Sequence, residues 1–446
     1  MTVRDRRLSV GVVSPLPPVR SGISDYTAEL LASLRRLVDV AAYEPGRAGE
    51  ALEGGHDVLL FQIGNDPLHV GSYEALTAPG RTTPAVVTLH DFVLHHLFAA
   101  GYLDSGDEAN YARELEANEG DKGRSLWGRM KDGTRIPVWD LDPWSYPMNG
   151  RLLAAAETVV VHSRLVAGSV LRRRPETPVV EIPHHVVPAP RTERAEARRA
   201  LSLPPGRPVA VTLGVVTPAK RVNRILEAFG RLPADQRPFL FVGGAVGEDD
   251  ALHGLVRDEG LEGDVAFGGY LSEVDFWRAA SAADLAVNLR HPTMGETSGA
   301  VCRLAGFGLP LVVSDIGWFR ELPDTFASKI PVGGDEVERL AREISRIAFD
   351  PVEARRRGEA AAAWGLARHP DRIAEAYASV LEDAADGWTR PSALSGRLAA
   401  ELAALGVGQP GRAPSREPDA TVVAAVAGRL AGVLPRPRPG AFDGSR

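Results

Sequence analysis

The sequence predicts an α/β fold built as two successive Rossmann-like, doubly wound parallel sheets. Three observations point there. Short apolar runs alternate with helical patterns almost throughout, the pattern of a parallel sheet covered by helices on both faces. A chain of 446 residues exceeds one core of common size and divides naturally into two. Midway, Pro188, Pro190, Pro204, Pro205 and Pro208 surround a short helical stretch at Glu193 to Leu201, as an interdomain connection does.

In the first half, strands are expected at Leu8 to Ser14, Val38 to Tyr43, Val58 to Gln62, Ala85 to His90, Thr158 to His162 and Val179 to Ile182. After the first strand a Pro-rich turn runs through Arg20, Ser21 and Gly22 into an amphipathic helix with Tyr26, Leu30, Leu31 and Leu34 on one face. The segment Gly101 to Asn149 breaks the rhythm. It is long and charged, carries Trp127, Trp139, Trp144 and Tyr146, and holds an expected helix at Glu108 to Glu119. It reads either as a binding loop or lid, or as a surface helical excursion packed by its aromatics.

The second half repeats the alternation, with strands at Val209 to Leu213, Phe239 to Val242, Val265 to Phe267, Leu285 to Leu289 and Leu311 to Ser314. From Asp335 the chain is helical. The expected boundaries are 1–190 for the first domain, 205–368 for the second and 369–387 for one long helix. Residues 388–446 form an extension with two Ala- and Leu-rich helices and a disordered tail.

Composition narrows the function. Apolar content of 44% and charge of 24% suit a soluble globular protein. The net charge of −7 argues against nucleic acid as the main partner. Cys302 is the one cysteine, which excludes an intramolecular disulfide and fits a reducing compartment. No run approaches the roughly 20 apolar residues of a membrane span. The N-terminus reads as a first strand and not as a signal, so a cytoplasmic location is expected, with membrane contact at most peripheral.

Three turns carry candidate chemistry. His291 to Asp315 reads as a polar loop, a helix, a sharp stop at Gly308 and Pro310, and a buried strand. Thr297 or Ser298 caps that helix, and Glu296, Thr297, Ser298 and Gly299 bring a carboxylate, hydroxyls and free N–H groups to its start, where an anion is stabilised. In Gly214 to Arg221, GVVTPAKR, Lys220 and Arg221 precede a helix and make a natural diphosphate clamp, or else a solvated basic pair. Gly22, beside Ser21 and Arg20, either lets a ligand approach the backbone or merely serves the turn.

His90 at the end of the fourth strand can hydrogen-bond a hydroxyl or shuttle a proton. His90, His95 and His96 lack the spacing of a zinc site, and no metal is expected. GxGxxG spacing, a GxSxG elbow and a GxxxxGK[ST] loop are all missing, which disfavours hydride, acyl-transfer and P-loop chemistry.

In order along the chain, RSGISDYTAELL, FQIGN, VTLHD, VVVHS, PHHVVP, GVVTPAKR, FVGG, GGYLSEVDFWRAASAADLAV, PTMGETSG and GFGLPLVVSD resemble a family-4-type (group 1) retaining glycosyltransferase of the GT-B fold. The resemblance covers roughly Leu8 to Asp386. It implies a nucleotide-diphosphate sugar donor in an interdomain cleft, held mainly by the second domain, and a glycan, lipid-linked or small-molecule acceptor on the first. No further cofactor is implied, and the long helix at 369–387 would cross back to the first domain.

By the same resemblance Gly22 lies near the donor diphosphate and His90 near the donor sugar. Lys220 is the cation on the diphosphate, Tyr270 and Leu271 flank the base, and Glu296 is the first acid of an E-x7-E motif. Two departures stand out. Val215 replaces the arginine usual in the phosphate loop, leaving Arg221 to substitute. The second acid is absent: Leu304 lies eight residues after Glu296, and Arg303 falls there if the alignment is anchored on Gly308 and Pro310. Arg303 cannot accept from a ribose diol; it would favour phosphate or pair with Glu296. Asp140-Leu141-Asp142 has a DxD form but reads as coincidence. The expected reaction is metal-free retaining glycosyl transfer. The alternatives are a GT-B epimerase or phosphorylase, or a non-catalytic sugar-nucleotide-binding partner.

Overall fold

The computed structural model describes residues 6–131, 137–245 and 251–387. The chain divides into two compact units: Met1–Pro183 with the chain from Ala374 onward, and His184–Ile373.

The first unit is a six-stranded sheet of β1 (Ser9–Val13), β2 (Asp39–Tyr43), β3 (Val58–Ile63), β4 (Ala85–Leu89), β5 (Thr158–Val161) and β6 (Val179–Glu181), in the order β2-β1-β3-β4-β5-β6. Every pair is parallel. The strands β3, β4 and β5 are buried along their whole length, which is why they read as unbroken Val- and Leu-rich runs without alternation. Ser21 caps the helix Gly22–Leu34, its Oγ accepting from the Ile23 N–H at 3.3 Å, and that helix buries Tyr26, Leu30, Leu31 and Leu34. The helix Pro370–Ala385 joins this unit from Ala374 on. The Tyr377 hydroxyl is 2.9 Å from that of Tyr26 and 3.1 Å from Thr88 Oγ1, and its burial pushes its pKa up to about 12.

The aromatic insertion is a helical excursion. One helical segment, Glu108–Lys131, breaks at Gly120, whose φ of 60° and ψ of −138° are open to glycine and strained for other residues. Its aromatics pack inward. The Tyr111 hydroxyl lies 2.7 Å from His95 Nε2, and Trp144 stacks on Phe92 at 5.0 Å between ring centres. His95 Nδ1 lies 3.0 Å from the Tyr146 carbonyl, and burial pushes this imidazole down to about 4, so it is neutral at physiological pH.

The second unit is another parallel sheet: β7 (Val209–Leu213), β8 (Phe239–Gly243), β9 (Val265–Gly269), β10 (Leu285–Asn288), β11 (Leu311–Ser314) and β12 (Ala327–Ile330), ordered β12-β11-β10-β7-β8-β9. The strand β12 is absent from the sequence expectation because its two central residues are Ser328 and Lys329, half-buried at the sheet edge. One face of the sheet carries the helices Glu273–Ala282 and Gly299–Phe307, which contribute Phe276, Trp277, Val301, Leu304 and Phe307 to the core with buried Cys302. The helix Pro351–Leu366 lies against Gly299–Phe307 where both carry glycine: a Cβ on Gly365 would stand 2.5 Å from the Gly306 Cα. The chain arriving at Val186 and the chain leaving at Arg368 meet, the Val186 N–H donating to the Arg368 carbonyl at 2.8 Å.

No helix among the described residues is long and apolar enough to cross a membrane. The expected helices at 391–405 and 419–434 and the expected disordered tail lie outside the described residues.

Candidate functional site

In a doubly wound sheet, ligands bind beyond the carboxyl ends of the strands where the strand order reverses. In the second unit that point lies between β7 and β10. The loops leaving these two strands are joined there, the His291 N–H donating to the Ala219 carbonyl at 2.8 Å. One loop supplies Lys220 and the other Arg290.

Lys220 is built into a glycine turn. Gly214 adopts a φ of 103°, and a Cβ on it would stand 2.5 Å from Lys220 Nζ, so the ammonium rests against bare backbone. The Gly214 N–H donates to the Gly243 carbonyl at 2.8 Å, tying the turn to the end of β8. Among the described residues no carboxylate pairs with Lys220. Loss of hydration, followed by repulsion from the Arg290 guanidinium, pushes its pKa down to about 7. A cation held at such cost, although its side chain keeps partial contact with solvent, is poised to accept an anion.

Glu296 does not stand open in this loop. Its Oε1 lies 3.0 Å from Arg290 Nε, and its Oε2 accepts from the Thr293 hydroxyl at 2.9 Å and the Met294 N–H at 2.7 Å. It shapes the loop and orients Arg290. Ser298 is the cap of the helix Gly299–Phe307, accepting from the Val301 N–H at 3.4 Å, while half-buried Thr297 precedes it. A Cβ on Gly299 would come 3.4 Å from His184 Nε2. Asn288 ends β10 with its carboxamide buried and without a hydrogen-bond partner among the described residues, an orphan that a bound water or ligand would satisfy.

Two residues expected at the ligand have partners within the protein. Arg221 is already paired within the protein. It adopts a left-handed backbone with φ of 52°, and its guanidinium pairs with buried Glu336, Nη2 to Oε2 at 2.8 Å. The turn that presents Lys220 therefore sends its neighbour the other way, and Arg290 takes the place beside Lys220. Arg303 meets Glu273 in place of Glu296: it bonds Glu273 Oε1 at 2.6 Å and lies over Phe276 and Trp277. Its position in the second turn of the helix directs it to the neighbouring helix. Tyr270 is 57% exposed just past β9, and Leu271 packs over Gly243 and against Leu213.

In the first unit, Ser21, Gly22 and His90 lie at the carboxyl edge of the sheet. Gly22 opens its helix, and a Cβ placed on it would meet nothing within 4 Å, so its own fold makes no demand for glycine. His90 Nε2 is 2.7 Å from Gln62 Oε1, and its ring meets those of Tyr26 at 4.8 Å and His162 at 5.2 Å. Gln62 and Arg290 are functional candidates that sequence reasoning missed. Gln62 lies at the end of β3 and meets His90 from the neighbouring strand, while Arg290 follows β10 and pairs with Glu296 in the same loop.

Residues 193–364 match the family described as glycosyl transferases group 1. Two curated relatives, both D-inositol 3-phosphate glycosyltransferases, are each 27% identical: one from Streptomyces bingchenggensis over 266 residues, one from Nocardia farcinica over 202. The matches take in 55% and 42% of this chain and 57% and 44% of those proteins, so the chain spans about half their length. Among solved structures, sucrose-phosphate synthase from Thermosynechococcus elongatus superposes with a TM-score of 0.60 at 16% identity, covering 84% of this chain and 99% of that one. Alr3699/HepE from Anabaena, in complex with UDP and glucose, gives 0.59 at 14% identity, covering 84% and 100%. The fold is GT-B, two six-stranded parallel sheets with helices.

Proposed function

We propose that this chain is a retaining glycosyltransferase that moves a sugar from a nucleotide-diphosphate sugar to a hydroxyl acceptor without a metal. The observation that carries the reading is Lys220: a lysine without a counter-anion among the described residues, at the switch point, beside Arg290 and a helix start. The domain match and the relatives' names support it, and UDP and UDP-glucose in the Anabaena complexes support the donor class.

In this mechanism the acceptor hydroxyl attacks the anomeric carbon on the face the nucleotide leaves, through an oxocarbenium-like transition state, as the bond to the diphosphate oxygen breaks and that oxygen takes the hydroxyl proton. Catalysis is positioning plus stabilisation of the departing diphosphate by Lys220, Arg290 and the N–H groups at Thr297 to Gly299. Tyr270 and Leu271 take the base side, Gly22 with Ser21 the donor phosphate, and His90 the transferred sugar. Glu296 acts on the donor by fixing the loop and Arg290. The first unit holds the acceptor, a glycan, lipid-linked sugar or small hydroxyl compound.

The test is turnover of nucleotide sugars with and without acceptors, with product configuration read by NMR and with a chelator present. Lys220→Ala should lower turnover roughly 100- to 1,000-fold, as removing one stabiliser of developing charge does. Near-normal turnover of that variant, donor isomerisation without acceptor, or loss of activity on chelation would overturn this reading.

A further inference from the structure

A second acid stands at the carboxyl edge of the second unit's sheet. Glu273 is the first residue of the helix Glu273–Ala282, two residues beyond Leu271. Its side chain is 61% exposed, yet Oε1 accepts from Arg303 Nη2 at 2.6 Å and Trp277 Nε1 at 3.1 Å. The guanidinium centre lies 5.2 Å from the Phe276 ring and 5.0 Å from the Trp277 ring, so the clamp is anchored to two buried aromatics. Among the described residues nothing bonds Oε2. One oxygen is fixed and the other is open.

The placement matters as much as the clamp. Glu273 follows the strand end with Tyr270 and Leu271, and Arg303 reaches it from the helix that opens at Ser298 and Gly299. The ribose of a nucleotide lies between its base and its diphosphate, and its vicinal hydroxyls are donors that match an acceptor-only carboxylate. Arg303 also offsets the negative charge of Glu273, which lets a carboxylate stand near a diphosphate without strong repulsion. We propose that Glu273 reads the ribose diol of the bound nucleoside diphosphate, with Arg303 and Trp277 as positioning residues. This rests on the donor-site reading above and adds to it the group that distinguishes ribo- from deoxyribonucleotides.

The experiment is calorimetric titration of the full chain with UDP, ADP and GDP, each beside its 2′-deoxy and 3′-deoxy counterpart. The ribonucleotide that binds should lose roughly 10- to 100-fold in affinity when either hydroxyl is removed, as for a hydrogen bond to a charged group. Glu273→Gln should erase most of that ratio, ribonucleotide affinity falling toward that of the deoxy forms, with the melting temperature near wild type. Arg303→Gln should reduce the ratio by freeing the carboxylate. Equal binding of ribo and deoxy forms, or an undiminished ratio in Glu273→Gln, overturns the proposal alone. If no nucleoside diphosphate binds, the donor-site reading falls and this one with it.

Discussion

Lys220 has an ordinary value of 10.5 and is held near 7, so the free protein sheds its proton across the neutral range. The sign follows from linkage. Between about pH 7 and 10.5 the unfolded chain binds the extra proton, so the penalty on the folded state is complete below 7 and fades as pH rises. An anion reverses this by favouring the charged lysine. Binding a nucleotide sugar at pH 8.5 should therefore take up close to one proton, about 1 per site, and affinity should fall as pH climbs above 7. Calorimetry in two buffers of different ionisation heat reads this directly. Uptake near zero in the wild type, or unchanged in Lys220→Ala, would refute it. The partner of each cation was beyond the reach of local pattern. Arg221 and Lys220 are adjacent, and only the left-handed backbone at Arg221 separates one toward Glu336 from the other toward Gly214. A non-glycine residue gives no sequence signal for that conformation.

Among elements, the helix Gly299–Phe307 is fixed at three points: the Ser298 cap, the left-handed Gly308 at its end, and the close approach to Pro351–Leu366. Gly365→Ala should cost on the order of 1–3 kcal/mol, the usual range for overpacking, because its new methyl meets backbone and not a mobile side chain. Chemical denaturation measures this; a cost below about 0.5 kcal/mol, as for a surface change, would mean that the two helices slide apart freely. The cap and the stop were legible as Ser298, Gly308 and Pro310, since each residue type acts locally. Eleven strands were legible as short apolar runs between helical patterns, several of them fully buried runs that need no alternation. The edge strand Ala327–Ile330 was not, because its pairing to β11 comes from the sheet and not from its own polar residues. Arg303 was placed on the right helix, but its partner Glu273 is 30 residues away, a distance no helical spacing encodes.

On the scale of the whole chain, the second unit begins after Pro183 and ends before Ala374, and the first unit is completed by a helix whose Tyr377 meets Tyr26, 351 residues earlier. The first unit is therefore discontinuous in sequence while the second is one unbroken stretch with its own sheet and core. Residues 184–373 expressed alone should melt cooperatively and bind the same nucleoside diphosphate as the full chain, a result that scanning calorimetry and titration would check. A broad transition without binding would show that the stretch depends on the remainder. The single bond between Val186 and Arg368 has a consequence for such experiments: the two ends of the excised stretch are already adjacent. A compact unit with neighbouring termini is transplantable. It can be closed into a ring, permuted, or inserted into a surface loop of a host protein, with a short linker and little entropic cost.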